Sequence, residues 1–508
     1  MRENVRIELL PLGRLLEVQR GTPLQDVLFA EGVEFPCGGR GRCKGCKIKV
    51  LAGSLPVSVE EQQRLTAAEL ADGWRLACRG RADGDLKLDL AQWEAAILTD
   101  ESAFAFTPQE GLGIAVDLGT TTIVAQLLDL QTGRVLAVRP ALNAQARFGA
   151  DIMSRIEFAV LRGGHAQLGQ TVHAQLGRLA GELFGAAKAD AARLRHVVLV
   201  GNTVMHHLFC GLSVEPLSRV PFESPDAGQQ LLPAADLGWP VPASTPVRFL
   251  PCLGSFVGSD LLAGILATQL HESDALTALV DLGTNGEIVL GNRERILCTS
   301  TAAGPAFEGA RISMGMRAAT GAISEVSLVD GELRCHVIGG AEPRGICGSG
   351  LVDAAAGALD LGWMKPTGRF VNRDALELQP PVQLSQTDIR ELQLAKGAIA
   401  AGLRILLEQW GASLEDLTRV YLAGAFGNYI NIASARRIGL LESPAGRIQP
   451  SGNTALLGAK LALFGLATKG GEYGEILRKV RHVSLNEDPR FHEVFVDCMT
   501  FPDAAAGS

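Results

Sequence analysis

Asp117-Leu-Gly-Thr and Asp281-Leu-Gly-Thr stand 164 residues apart, and each ends an apolar run, GIAV before the first and TALV before the second. Short apolar runs bounded by turn residues read as buried strands. The stretches after the turns read as strands too: TTIVAQLLDL then RVLAVR in the first copy, EIVLGN then RILCTST in the second. That is a strand meander, not a strand–turn–helix unit. A second pair recurs. VVLVGNTVMHHLF at 197–209 and RVYLAGAFGNYI at 419–430 each run from an apolar strand into a glycine-containing loop. Internal duplication explains both pairs. It predicts two related halves, roughly 111–275 and 276–508, facing each other across a cleft.

A glycine-rich turn at a strand end aims backbone N–H groups at anionic oxygens. Gly119, Thr120, Thr121 and Thr122 would then meet one side of a phosphate chain, and Gly283, Thr284, Asn285 and Gly286 the other. Asp117 and Asp281 are placed to hold Mg²⁺ through water, because hard cations prefer oxygen ligands and keep several waters. Glu287 has two readings, a base that orients the attacking water and an outward strand residue. Ala303-Gly304-Pro305 with Glu308 reads as a nucleotide-side loop feeding a helix, where an N-terminus favours anions, or else as a tight packing turn. Gly348-Ser349-Gly350 reads similarly. No GxxxxGK[ST] occurs, and no GxGxxG leads a strand into a helix, so P-loop and dinucleotide readings lack their motif. The two turns resemble the paired phosphate motifs of the actin/Hsp70-like/sugar-kinase superfamily. That likeness implies ATP with Mg²⁺ as ligand, with Leu422–Gly427 as the adenosine loop through Gly424 and Gly427.

The N-terminal 90 residues carry different chemistry. Cys37, Cys43 and Cys46 are spaced C-x5-C-x2-C, and Cys78 follows 32 positions on. Plant-type [2Fe–2S] proteins use C-x4-C-x2-C with a distant fourth ligand, and the extra residue resembles ferredoxins of the adrenodoxin kind. Gly38, Gly39, Gly41 and Gly45 let the chain wrap closely around sulfur. Zinc is the competing ligand, but structural zinc sites usually pair two C-x2-C knuckles and only one exists here. Arg40, Arg42, Lys44, Lys47 and Lys49 surround the loop, either as a solvated rim or as a patch that steers an acidic partner. VRIELL and RLLEVQR flank a Pro11-Leu12-Gly13 turn. Thr22 is placed to cap a helix over Pro23–Glu31. A strand at Cys46–Leu51, a short helix at Glu60–Leu65 and a strand at Asp85–Leu90 complete a β-grasp pattern. Residues 91–110 read as a linker, helical at first.

Composition narrows the setting. A formal charge of -8 argues against nucleic acid as main partner. MRENVRIELL has no signal-peptide pattern and no apolar run reaches about 18 residues, so a reducing cytoplasmic protein without a membrane span is expected. The six scattered cysteines, Cys347 among them, then read as small core residues.

With the ferredoxin run in front, GIAVDLGTTT, NAQARFGADIMSRI, GNTVMHHL, VDLGTNGEIVLG, STAAGPAFEGA, ICGSGLVDA, LAKGAI, LAGAFGNY and FHEVFVDCMTFP resemble the ATP-dependent reductive activators of corrinoid proteins. The resemblance covers nearly the whole chain. It implies a ferredoxin domain at 1–90, a linker at 91–110 and a duplicated ribonuclease-H-like ATPase with a central nucleotide cleft at 111–508. The implied activity passes an electron from a [2Fe–2S] cluster to a Co(II) corrinoid protein of a methyltransferase system, regenerating Co(I). An upstream electron donor and a homodimer belong to the same expectation. His206 and His207, at a helix start, read as structural residues rather than cobalt ligands. The alternative is an ATP-gated donor to another metalloenzyme, resembling the activators of 2-hydroxyacyl-CoA dehydratases.

Overall fold

The computed structural model describes residues 4–10, 14–30, 41, 46–90, 106–149, 151–223, 225–283, 285–309, 311–316, 318, 321–427, 430–465 and 471–503. Alternation in Asn4–Leu10 (β1) puts Val5, Ile7 and Leu9 on one buried face. Arg14–Gln19 (β2) returns antiparallel as the expected hairpin; its turn lies outside the described residues. Lys47–Ala52 (β3), Trp74–Leu76 (β4) and Leu86–Asp89 (β5) complete a sheet of order β2-β1-β5-β3-β4, with β1 and β5 parallel. Leu24–Ala30 (α1) buries Leu24, Val27 and Leu28 in the same core. This is the β-grasp arrangement. The expected Thr22 cap is not formed. Thr22–Pro23 instead pairs with Arg81–Ala82 as a short strand, the Thr22 hydroxyl donates to the Gln19 carbonyl, and the helix starts at Leu24.

Val59–Arg64 (α2) starts with a capping box between Ser58 and Glu61. The Glu61 carboxylate is buried and also accepts the Leu76 N–H at 2.6 Å. Charged hydrogen bonds of this kind contribute about 1.5–3 kcal/mol each, so Glu61 ties α2 firmly to the strand that leads to Cys78. A second capped helix, Ala67–Ala71, was not expected. Of the linker, 91–105 lie outside the described residues. Phe106 packs on Phe464 at 4.5 Å, and Gln109 donates to the Phe464 carbonyl.

The rest of the described chain is built around two six-stranded sheets that share the same five-strand core, with the sixth strand on opposite edges. In the first half Leu112–Leu118 (β6), Thr122–Asp129 (β7) and Val135–Leu142 (β8) form the meander. Leu194–Val200 (β9), Gln230–Pro233 (β10) and Pro246–Phe249 (β11) extend it to the order β8-β7-β6-β9-β11-β10. In the second half Thr277–Leu282 (β12), Gly286–Gly291 (β13), Ile296–Thr301 (β14), Arg419–Ala423 (β15), Ile448–Gly452 (β16) and Val480–His482 (β17) give β17-β14-β13-β12-β15-β16. The three meander strands are antiparallel and the next two parallel in both halves. This is the ribonuclease-H-like frame of the sugar-kinase and actin ATPases, present twice.

Helices fix how the halves meet. Ile152–Leu161 (α3), His165–Ala187 (α4) and Thr203–Cys210 (α5) belong to the first half, and Gly348–Asp360 (α7) and Gln386–Trp410 (α8) to the second. Ser259–Thr268 (α6) and Thr454–Gly465 (α9) cross between them. The crossing is so tight that a Cβ at Gly458 would run into the Ala263 carbonyl. A Cβ at Gly264 of α6 would meet Leu279 of β12 at 2.7 Å, and one at Gly113 of β6 would meet Leu463 of α9 at 2.6 Å. Each crossing helix therefore touches the other half's sheet, and the cleft is braced by small residues. Among the described residues no helix is long and apolar enough to cross a membrane.

Candidate functional site

Both turns close on themselves. The Gly119 N–H donates to the Thr122 carbonyl at 3.0 Å, and the Gly283 N–H to the Asn285 carbonyl at 3.1 Å. The first turn is then fastened from outside. Asn143 donates from its side chain to the Gly119 carbonyl at 2.9 Å and from its backbone to Thr121 at 2.8 Å. Arg155 of α3 is fully buried and donates to the Thr120 carbonyl at 2.6 Å. Asn202 caps α5 with its side-chain oxygen while its amide donates to the Thr120 hydroxyl at 2.9 Å. The second turn leans on its own sheet, through the Thr301 hydroxyl of β14 on the Gly286 carbonyl at 3.0 Å. Gly424 presses on it from β15. Its φ is +84°, and a Cβ there would stand 2.6 Å from Asp281 Oδ1. Thr284 lies outside the described residues.

Four carboxylates share the cleft. Burial pushes Asp117 up to about 6, and Asp281 up to about 7 with the Asp117 charge adding. Asp260, at the start of α6, is pushed up to about 7 by burial and then by the charges of Asp281 and Asp117. Glu287 is raised well above the usual carboxylate range by burial and by Asp260 and Asp281, and its side chain bonds Asn285. Glu287 therefore points into the cleft, not outward. Among the described residues no three His, Cys, Asp or Glu stand close enough to hold a metal ion directly, so a hard divalent cation in this cleft would be held by the carboxylates through its waters. Asn453, the residue before α9, donates to Asp117 Oδ2 at 2.8 Å and caps Leu456 with its oxygen at 2.7 Å.

Sequence reasoning missed Asp260 and Asn453. Asn453 had a signal. Gly-Asn-Thr occurs at 201–203 and again at 452–454, and both asparagines cap a helix while their amides hold the first turn. Asp260 had only the weak one of an acid at a helix start.

The other expected positions divide. Thr120, Asn285 and Gly304 line a cavity of about 450 Å³ between the halves. Gly304 and Gly309, both at φ +78°, bracket a single short turn of helix at Pro305–Glu308, so no long helix begins there. Gly348 starts α7 but lies against the Phe307 carbonyl, and Phe307 stacks on Phe426 at 4.7 Å. Gly348-Ser349-Gly350 is thus the first turn of α7, packed against the Pro305–Glu308 turn. Gly427 packs on Leu422. His206 and His207 are fully buried on α5 and bonded to the Gly228 and Thr203 carbonyls. Cys347 is buried beside Ser349.

In the ferredoxin sheet, Lys47 pairs with Leu76, and the Ala77 N–H donates to the Cys46 carbonyl at 3.0 Å. Cys46 and Cys78 therefore reach the same end of adjacent strands. Arg79 lies within hydrogen-bonding reach of Cys78 and pairs with Glu60 at 3.2 Å. Two sulfurs so placed, with a guanidinium alongside, fit an anionic iron–sulfur cluster. Cys37 and Cys43 lie outside the described residues, as do Arg40, Arg42 and Lys44. Lys47 and Lys49 bond Glu69 at 2.7 Å and Asp72 at 2.8 Å, so these two are not an open basic patch.

Three family models match successive stretches. Residues 7–83 match a 2Fe-2S iron-sulfur cluster binding domain, 112–273 the RACo middle region and 275–507 the C-terminal domain of RACo, the ASKHA domain. The chain is 35% identical over 421 residues to the corrinoid activation enzyme RamQ of Eubacterium limosum, covering 77% of this chain and 70% of that protein. It is 29% identical over 380 residues to the [Co(II) methylated amine-specific corrinoid protein] reductase of Methanosarcina barkeri, covering 68% of each. A solved structure titled reductive activator for corrinoid, iron-sulfur protein superposes with a TM-score of 0.68 at 27% identity, covering 98% of both chains.

Proposed function

The chain belongs to the family of reductive activators of corrinoid proteins, and from that membership we propose that it uses ATP to return the cobalt of a corrinoid protein from inactive Co(II) to Co(I). One observation carries the reading: the two phosphate-type turns face one cavity between the halves, lined by Thr120 of the first and Asn285 of the second. Cys37, Cys43, Cys46 and Cys78 would hold a [2Fe–2S] cluster, which when bound supplies electrons singly. Gly119–Thr122 and Gly283–Gly286 would bracket the phosphates of ATP, with Gly304 and Glu308 nearby and the Gly424–Gly427 loop on the adenosine side. Asp117 and Asp281 would hold Mg²⁺ through water. Asp260 and Glu287 are left to orient the attacking water, and a carboxyl at about 7 suits proton transfer near neutral pH.

ATP biases only those states that it binds differently. Two turns on opposite halves give it that leverage, because a phosphate chain reaches both only when the cleft is closed. The halves would pivot on the α6–α9 crossing, where Gly458 leaves no slack. The domain limits 1–90, 111–275 and 276–508, an upstream donor that loads the cluster, a homodimer and a cytoplasmic setting complete the proposal. In the test, reduced protein, MgATP and a Co(II) corrinoid protein are mixed and the Co(I) absorption is followed. Co(I) should form with ATP and not with a non-hydrolysable analogue. No ATP-dependent Co(I) with any of a panel of methyl-carrying corrinoid proteins would reject the proposal.

A further inference from the structure

The 450 Å³ cavity opens on the far side of the phosphate turns from the Gly424–Gly427 loop. Sheet order sets this. Gly424 follows β15, on one side of β12, whereas the cavity runs along the ends of β14 and β17, on the other. Thr120 and Asn285 reach it from the two turns. Phe222 and Phe256 line it ring against ring at 5.8 Å, with Met153 beside them, and exposed Arg311 enters from the second half. Phe222 and Arg311 both hold φ at +64°. That backbone region is costly for bulky residues, and such strain collects at ligand sites. The volume is that of an ordinary small-molecule site.

We propose that this cavity is a second small-molecule site, filled beside the nucleotide, for a flat aromatic ring joined to a phosphate ester. The phenylalanine pair and Met153 make an apolar bed for the ring. Arg311 offers its donor fork to the phosphate. Thr120 and Asn285 supply neutral polar contacts between the two, so the ligand's anionic end lies near the terminal phosphate of ATP. Two sources carry this chemistry, a free purine nucleotide and the nucleotide tail of a corrinoid. The second source rests on the function proposed above. A tail held here would keep its base off the cobalt and make Co(II) easier to reduce.

The full chain, saturated with Mg²⁺ and a non-hydrolysable ATP analogue, is titrated calorimetrically with AMP and, separately, with dimethylbenzimidazole ribotide. A second mole of one probe should bind per chain. Phe222→Ala and Arg311→Ala should each weaken that binding at least tenfold while leaving analogue affinity and thermal unfolding unchanged. Binding of the ribotide alone assigns the corrinoid tail as source; equal or better binding of AMP assigns a free nucleotide. No second binding event, or displacement of the analogue by either probe, overturns the second site. If wild-type protein still makes Co(I) with ATP in that case, the proposed function stands and only this site falls.

Discussion

Side chains from four separate segments converge on the first Asp-Leu-Gly-Thr turn: Asn143, Arg155, Asn202 and, from the opposite half, Asn453. The second turn is held mainly by its own sheet, through Thr301, and by the backbone of Gly424. Strand order and direction are the same around both. Duplication thus supplied the strands and the turns, whereas the side-chain scaffold differs between the copies. The difference reaches the chemistry. Asp117 receives an amide hydrogen bond that offsets part of its burial and sits at about 6, while Asp281, with no such bond among the described residues and with the Asp117 charge adding to its burial, sits at about 7.

The largest expected effect tests whether the two turns act as one site. Asp117→Asn and Asp281→Asn should each lower MgATP turnover about 10²–10³-fold, in keeping with the several kcal/mol a well-held cation supplies. Steady-state phosphate release measures it, and near wild-type turnover in either variant would break the pairing. Next comes Arg155→Met. Removing a buried guanidinium strands the Thr120 and Gly149 carbonyls, at a cost of about 2–4 kcal/mol in urea unfolding. Gly424→Ala is the matching probe of the second turn. It should cost about 1–3 kcal/mol through its positive φ. It should also weaken nucleotide binding, because its Cβ collides with Asp281 Oδ1. A larger stability loss at Gly424 than at Arg155 would reverse the assignment of which turn is the braced one.

How much of this could be read from sequence follows the same divide. The meanders were legible because buried strands leave continuous apolar runs, as in GIAVDL and TALVDL, and because the turns recur verbatim. The β-grasp was legible from alternation in VRIELL and from the cysteine spacing. What hid were contacts between distant segments. Arg155 looks like a surface residue of NAQARFGADIMSRI, yet it is the buried brace of Thr120. Asp260 lies 143 residues from Asp117 in sequence, and the two meet because α6 starts on the Gly201 carbonyl, one residue past the β9 position paired with Asp117. Thr22 misled because a threonine before proline and a helix fits a cap by local rules, while pairing with Arg81–Ala82 is a tertiary effect. Lys47 and Lys49 likewise read as a patch until the Glu69 and Asp72 that neutralise them are placed.

The smallest effect is the sharpest test of the difference between the turns, and it depends on sign. A carboxyl whose folded value is raised binds its proton more tightly in the folded chain than in the unfolded one. Its contribution to stability is present below the ordinary value of 3.8 and is lost as pH rises through about 6 for Asp117 and about 7 for Asp281 and Asp260. Metal-free protein should therefore lose melting temperature as pH rises from about 4 to about 7, and MgATP analogue should flatten the slope by binding the ionised groups. Asn453→Ala and Asn202→Ala each remove a helix cap, at about 0.5–2 kcal/mol. Only Asn453 bonds a carboxylate, because Asn202 bonds the Thr120 hydroxyl. Asn202→Ala should lower the melting curve in parallel at every pH. Asn453→Ala should shift the Asp117 part of the curve toward higher pH, closer to that of Asp281, because the hydrogen bond that favoured the charged form is gone. Parallel curves for both variants would mean that Asn453 acts on α9 alone and that the amide does not set the difference between Asp117 and Asp281.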